Sequence, residues 1–182
     1  MNRAAKKLIA LFLLDVQKLA RALESGAQTV DAWQQQFSQA LARYHTAALL
    51  VGQGNTALTP QGRRYLGTVV EAQIKYLNNF AVEIQSAEQF KPGWLARSAL
   101  YAQGIGASWW KGATKMLPLP AMPRDGTTAC LGNCQCAWSI EELDGDGNYD
   151  CTWVMSAAEH CQGCRQRAAD WAPYKIRDGR VA

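Results

Sequence analysis

The 182-residue sequence lacks several features that would assign it to a specialised class of protein. It contains no run of the roughly 20 apolar residues that a membrane-spanning helix needs. Six prolines and fifteen glycines are too few for a collagen-like chain, and a hydrophobic fraction of 48% argues against general disorder. These absences leave a folded globular protein, long enough to bury about 70% of the surface of its unfolded chain.

Cysteine and charge are both distributed unevenly along the chain. Residues 1–119 contain no cysteine and carry a formal charge of +7, whereas residues 120–182 carry −3, which together give the net charge of +4. All six cysteines lie between Cys130 and Cys164. We therefore expect two regions with different physical chemistry, joined by the proline-rich stretch 117–123, whose prolines exclude a helix.

Residues 1–116 are predicted to form a helical domain of three to four helices. Apolar residues recur there every three or four positions, and the alternation of a strand is missing. Thr29 or Asp31 can cap the second helix, because their side-chain oxygens accept hydrogen bonds from free backbone N–H groups. A third helix is expected to start near Pro60, since proline is tolerated in the first turn. The stretch Trp94–Lys115 is predicted to be helical or nearly so, despite three glycines.

The N-terminal residues resemble a signal peptide only in their first half. Basic residues precede the apolar run Leu8–Leu14, but Asp15 and other polar residues follow directly, and no small-x-small cleavage site appears. Helical spacing continues through this stretch, which favours an amphipathic helix. We therefore expect a reducing compartment, in which disulfides are rare.

Residues 136–155 are predicted to form a β-hairpin, because apolar and polar residues alternate on both sides of a turn sequence rich in Asp, Gly and Asn. A turn centred on Gly145-Asp146 pairs Trp138 with Trp153, and a turn centred one residue later pairs Trp138 with Met155. Both registers put the same residues on one face, which is expected to form the core of the hairpin. These residues are Cys136, Trp138, Ile140, Cys151, Trp153 and Met155.

The cysteines of the C-terminal module, residues 124–182, have the spacing of a zinc site. The Cys-x-x-Cys motif resembles a zinc knuckle, in which two sulfurs converge, and the hairpin brings the Cys-x-Cys motif close to it. Five candidate ligands compete for about four places in a tetrahedral site: Cys130, Cys134, Cys136, Cys161 and Cys164. A structural zinc ion would contribute folding energy to a module whose own core is marginal.

Other interpretations of these residues stay open. Cys151 is excluded from a shared site, because four or more strand residues, more than about 13 Å, separate it from Cys136, and it is expected to be a buried thiol. His160 is a candidate replacement ligand. The alternatives to metal are three disulfides, with fifteen connectivities, and a redox pair at Cys161 and Cys164, although no βαβ pattern surrounds that pair.

Two segments of the module resemble the head morphogenesis proteins of tailed phages and prophages, minor head proteins grouped with the Mu-like family. The segment Leu119–Trp138 contains the element Asn133-Cys134-Gln135-Cys136, and the second segment is Glu159–Ile176. The resemblance covers residues 117–177, about a third of the chain. It implies a virion component without enzymatic activity, bound near the portal or inner capsid, that acts by protein contacts and has packaged DNA as a further candidate contact.

We therefore predict a mainly α protein: a helical domain (1–116), a connector (117–123) and a zinc-stabilised β-hairpin module (124–182). The expected function is structural or assembly-related, in the virion or host cytoplasm, with capsid or portal proteins as partners and without a membrane. A zinc-ribbon-like nucleic-acid-binding protein is the alternative, and a thiol redox or metal-dependent enzyme is a third hypothesis. The basic and aromatic tail, 165–182, either contacts nucleic acid or covers the module.

Overall fold

The protein is described by a computed structural model that covers residues 3–87, 89–91, 93–123, 125, 127–130, 134–144, 146–157 and 159–182. Its first five helices are α1 (Arg3–Glu24), α2 (Val30–Gln53), α3 (Pro60–Gln85), α4 (Gly93–Leu100) and α5 (Ala102–Ala113). Strands β1 (Ala137–Glu142) and β2 (Tyr149–Val154), helix α6 (Gln162–Asp170), and strands β3 (Tyr174–Arg177) and β4 (Arg180–Val181) follow. The prediction of a mainly helical chain with a small C-terminal β module is confirmed.

Some of the residues used in the sequence analysis lie outside the described part of the chain. They are Gly145 of the hairpin turn, Asn133 of the phage-like element, and Arg124, the first residue of the expected module. The division into residues 1–116, 117–123 and 124–182 stays a prediction.

Helix α1 is amphipathic, as expected from its spacing. Phe12 and Val16 are buried on its inner side, while Leu14 on the opposite side is 52% exposed. Among the helices described, none has the length and hydropathy that crossing a membrane requires.

Helices α2 and α3 begin where threonine side chains satisfy free N–H groups. The Thr29 hydroxyl accepts a hydrogen bond from the N–H of Ala32 at 3.2 Å, which confirms one of the two predicted caps. Thr59 accepts a hydrogen bond from the N–H of Gly62 at 3.0 Å, directly before Pro60 in the first turn. Such caps each stabilise a helix by about 1 kcal/mol.

Aromatic side chains fill the core shared by the first five helices. Phe12, Trp33, Phe37 and Phe80 are at most 1% exposed. Their rings meet edge to face, as for Trp33 and Phe80, whose centroids are 5.4 Å apart. This geometry brings the positive edge of one ring to the negative face of the next and adds to the effect of burial.

The predicted fourth helical stretch, Trp94–Lys115, is present but divided into α4 and α5 by a one-residue interruption. The chain turns at Tyr101, between α4 and α5. Tyr101 itself is buried, and its ring packs edge to face on Phe37 with centroids 5.0 Å apart. Tyr101 keeps helical dihedral angles, φ −62° and ψ −22°, so the interruption is local.

Helices α2 and α5 approach so closely that both need glycine at the contact. A Cβ atom on Gly52 would lie 2.2 Å from the carbonyl oxygen of Trp109, and one on Gly112 would lie 2.4 Å from the carbonyl oxygen of Leu49. Because both obstacles are backbone atoms, a side chain at either position would push the helices apart.

The connector forms no helix, as its prolines predict, and it is packed rather than free. Leu117 and Leu119 are buried against the β module, and Met122 contacts the cores of both regions. The indole N–H of Trp138 donates a hydrogen bond to the carbonyl oxygen of Ala121 at 2.9 Å. The connector therefore belongs to the core of the module.

The C-terminal strands form one antiparallel sheet in the order β1-β2-β3-β4. Trp138 pairs with Trp153, which confirms the first of the two predicted registers. Met155 is the exception on the predicted core face, since it is 38% exposed. Strands β3 and β4 were not predicted. The guanidinium group of Arg177 in β3 donates a hydrogen bond to the carboxylate of Asp150 in β2 at 2.7 Å and so links the two strands.

Candidate metal centre

Three segments of the chain bring five cysteines to one end of the sheet. Cys130 lies on the arm before β1, Cys134 and Cys136 lie directly before β1, and Cys161 and Cys164 lie at the start of α6. The antiparallel pairing puts the start of β1 beside the end of β2, from which the chain continues to α6. All five predicted ligands are therefore clustered.

The five sulfurs form two triangles that share Cys164. In the first, which we call the outer triangle, the Sγ atom of Cys130 lies 3.7 Å from that of Cys161 and 3.6 Å from that of Cys164. In the second, the inner triangle, Cys134 and Cys136 join Cys164, and the Sγ atoms of Cys134 and Cys164 are 3.8 Å apart. Within each triangle all three sulfurs lie within 4.8 Å of one another.

The donor set and its distances fit a zinc ion. Four sulfurs that each lie about 2.3 Å from zinc stand about 3.8 Å apart at the corners of a tetrahedron. A disulfide would instead bring two sulfurs to about 2.05 Å, and all six cysteines are free. Clustered thiolates select soft ions such as zinc. The cysteines can therefore bind a metal ion, and the disulfide alternative has no support in the structure.

His160 offers a nitrogen next to the inner triangle. Its Nδ1 atom lies 3.5 Å from the Sγ atom of Cys136, and its Nε2 atom lies 2.9 Å from the carbonyl oxygen of Ser156. Because a carbonyl oxygen can only accept, Nε2 carries the proton and Nδ1 keeps its lone pair on the side of the sulfurs. Metal-binding histidines are commonly oriented by such a second hydrogen bond.

The thiols of the cluster differ in acidity. Burial raises the pKa of Cys164, which is completely buried and has the other four candidate sulfurs as neighbours. The backbone N–H of Cys164 has the opposite effect on Cys161, whose pKa it lowers to about 6. Cys161 is therefore a thiolate at neutral pH, which is the form that binds metal.

The sixth cysteine does not join the cluster. Cys151 is fully buried in β2, opposite Ile140 of β1. Burial raises the pKa of its thiol, which keeps the thiol neutral. Cys151 is buried, as predicted, and belongs to neither group of candidate ligands.

The aromatic tail packs over the hairpin beside the cluster. The Trp171 ring stacks on Trp138 with centroids 5.5 Å apart and meets Trp153 edge to face at 5.7 Å. The Arg167 guanidinium lies 5.2 Å from the centre of the Trp153 ring. Of the two interpretations of the tail, the structure supports the one in which Trp171 covers the module.

The arm that carries Cys130 is held by contacts that the sequence analysis did not identify. The Asp125 carboxylate accepts a hydrogen bond from the N–H of Thr127 at 2.9 Å, and the Thr127 hydroxyl accepts one from Arg167 at 2.6 Å. The Thr128 hydroxyl lies 3.1 Å from the Sγ atom of Cys130. An Asp two residues before a Thr is a signal for such a turn, but its link to α6 is purely tertiary.

A second polar cluster lies inside the helical region. The Nδ1 atom of His45 is 2.7 Å from the Ser108 hydroxyl, which is 3.2 Å from the Tyr65 hydroxyl. Burial lowers the pKa of His45 to about 4, against a weaker opposing effect of the neighbouring Gln73 side chain. His45 and Ser108 are both 0% exposed. This cluster is therefore part of the core, and solvent has no access to His45.

The fold and the site together define a helical protein with a small cysteine-rich module that can hold a metal ion. No family model, curated protein or solved structure matches this chain. The function must therefore be argued from the residues and their geometry.

Proposed function

We propose that this chain is a structural component of a phage-like particle, a minor head or head-morphogenesis protein whose C-terminal module is stabilised by zinc. The observation that carries the metal part is the convergence of five sulfurs from three segments into two groups, each within 4.8 Å. Three of the Sγ–Sγ distances are 3.6–3.8 Å. The particle part is supported by the resemblance of residues 117–177 to phage head proteins.

The arrangement favours a structural metal over a catalytic one. A catalytic zinc keeps an open position in reach of substrate, with an acid or base nearby. Cys134, Cys136 and Cys164 are at most 2% exposed, so substrate has no access to that side of the cluster. Glu159 is exposed and does not belong to either group of candidate ligands. The proposal therefore contains no catalytic step.

The composition of the module's core supports the same role. Its buried residues are largely cysteines and two tryptophans, with Leu117, Leu119 and Ile176 as the aliphatic members. When several thiols packed at hydrogen-bond distance ionise, their negative charges repel one another and destabilise the fold. A bound cation removes this repulsion. Metal binding therefore adds its free energy directly to the stability of the module.

The proposed mode of action is contact with other proteins of the particle. The helical region carries most of the positive charge, and much of it lies on exposed side chains such as Lys7, Arg63 and Arg64. Helix α3 also exposes Tyr76 and Val82, which are 68% and 63% accessible. A basic surface with apolar side chains suits an acidic protein partner such as a capsid or portal subunit.

The first experiment is the metal content of the full chain purified under reducing conditions, with a parallel count of free thiols. We expect at least one zinc ion per chain. A chelator should unfold the module and thereby change the fluorescence of Trp138, Trp153 and Trp171. Cys164→Ser should lose metal, and Cys151→Ser is the matched control that keeps it. A metal-free protein that is fully folded would contradict the zinc part of the proposal.

The particle role needs its own experiment. A tagged chain is produced during particle assembly in the host, and particles are isolated by density gradient and washed in high salt. We expect a fixed number of copies per particle, retained after the wash. A chain that never sediments with particles, although it is folded and metal-loaded, would contradict the assembly role and leave the zinc site intact.

The formal charge of +7 on residues 1–119 favours a second candidate, a zinc-ribbon-like nucleic-acid-binding protein. Such a protein neutralises phosphates and releases counterions, so its affinity for DNA falls steeply as salt rises. Binding of the full chain to a DNA duplex, measured at several salt concentrations, distinguishes the two. Tight binding, with a salt dependence that corresponds to several neutralised phosphates, would support this candidate over the assembly role.

The pKa of Cys161, lowered to about 6, would also suit a thiol redox function. The two roles differ in how the metal-loaded protein reacts. A metal-bound Cys161 is protected from alkylation until a chelator is added, whereas a redox thiol reacts at once.

A further inference from the structure

We propose that the cysteine cluster holds two zinc ions, which share the thiolate of Cys164 as a bridging ligand. This inference rests on the zinc site proposed above and specifies its stoichiometry and its ligands.

The shape of the cluster is the reason for this inference. A tetrahedral ion takes four donors about 3.8 Å apart, and each triangle supplies three of the four. Among the described residues the cysteines form two groups of three, and no group of four lies within 4.8 Å. Cys164 is the one member that both groups contain. One ion in the inner triangle would therefore leave Cys130 and Cys161 unliganded, although their sulfurs lie 3.7 Å apart.

His160 lies beside the inner triangle, next to Cys136. Its Nδ1 atom is 3.5 Å from the Sγ atom of Cys136. The hydrogen bond from Nε2 to the Ser156 carbonyl at 2.9 Å leaves the Nδ1 lone pair on the side of Cys136. His160 does not lie within 4.8 Å of all three sulfurs, so its side chain must move towards them to complete a three-sulfur, one-nitrogen set, which is a common ligand set of structural zinc.

The outer triangle is less enclosed. Cys130 and Cys161 are only half-buried, in contrast to the three sulfurs of the inner triangle. The only side-chain oxygen recorded next to these sulfurs among the described residues is the Thr128 hydroxyl, 3.1 Å from the Cys130 sulfur. The fourth ligand of the outer ion is therefore this hydroxyl or a water molecule. Because these are weaker ligands than thiolate or imidazole, the outer ion should leave first.

The test counts metal ions on the full chain by native mass spectrometry after reconstitution with Zn²⁺ under reducing conditions. We expect two ions on the wild type, one on Cys130→Ser and on Cys161→Ser, and two on the matched control Cys151→Ser. A chelator titration should remove the ions from the wild type in two steps. One ion on the wild type overturns this inference and leaves the proposed zinc site standing; a chain without any bound ion contradicts both.

A measurement on the unsubstituted chain keeps the test valid if the serine variants do not fold. The protein is loaded with ¹¹³Cd²⁺, which binds the same thiolates and gives one nuclear resonance per site. We expect two resonances that are coupled to each other through the shared sulfur. Two resonances without coupling would refute the bridge, and a single resonance would refute the second site.

Discussion

Substitution of Gly52 by Ala tests whether close packing or helix propensity has the larger effect on stability at the contact between α2 and α5. The added Cβ atom would lie 2.2 Å from the carbonyl oxygen of Trp109 and 2.9 Å from the backbone nitrogen of Ala113. Normal contacts of this kind are more than 1 Å longer than the first distance, and neither obstacle can rotate away. The two helices must therefore move apart, and α5 is bound mainly through this face.

The expected cost follows from two opposing effects. Overpacking of a core contact typically costs about 1–3 kcal/mol, and the clash with backbone puts Gly52→Ala at the upper end. Replacing Gly by Ala inside a helix gains up to about 1 kcal/mol. We therefore expect a net loss of about 2 kcal/mol, or a Tm lower by roughly 4–8 °C for a chain of this size.

Gly67 of α3 supplies the matched control. It lies in the interior of a helix, is exposed, and has nothing within 4 Å of an added Cβ atom. Gly67→Ala should therefore stabilise the protein by up to about 1 kcal/mol. Both variants are unfolded by denaturant and followed by far-ultraviolet circular dichroism, which reports on the helices. Equal stability of the two variants would refute the close contact between α2 and α5.

Three further predictions concern other parts of the structure. Gly104→Ala should cost less than Gly52→Ala in the same assay, because the atom 1.8 Å from its Cβ belongs to the flexible Gln73 side chain; an equal loss would contradict this. His45 has a folded-state pKa of about 4, below its ordinary value of 6.5. The free energy of unfolding should therefore be unaffected by this residue above pH 6.5 and fall by about 3 kcal/mol as the pH drops to 4, because the unfolded chain binds the proton more readily. Denaturant unfolding at several pH values should show this loss in the wild type but not in His45→Asn. The same pH dependence of stability in both proteins would contradict a buried, neutral His45. Trp171→Ala should destabilise the module by about 3 kcal/mol through loss of its ring contacts, measured by tryptophan fluorescence with exposed Tyr76→Ala as the neutral control; no change would show that the tail does not cover the hairpin.

The features that could be predicted from the sequence are those set by local signals. Thr29 caps α2 because its side chain reaches an N–H three residues away. The alternation of side chains predicts the hairpin and its core face but allows two registers, of which the structure has the one with Trp138 opposite Trp153. The clustering of the cysteines follows from the hairpin in either register, because the hairpin fixes which chain segments meet.

The features that could not be predicted depend on contacts between distant residues. Strand β3 has only four residues, and its place beside β2 depends on burial of Ile176 and on the ion pair of Arg177 with Asp150. The break at Tyr101 contains neither Gly nor Pro, so only the ring contact with Phe37 marks it. In the same way, the spacing of the cysteines shows that they converge, but not that they divide into two triangles around Cys164.

The connector decides how a metal in the module would affect the rest of the chain. Met122 packs against both cores, and Ala121 accepts a hydrogen bond from Trp138 in β1. The side chain of Lys115, just after α5, forms an ion pair with Glu142 at the end of β1. Because β1 begins directly after Cys136, a metal that fixes Cys136 also fixes the strand to which the connector is attached. A structural ion would therefore stabilise the junction of the two regions as well as the module.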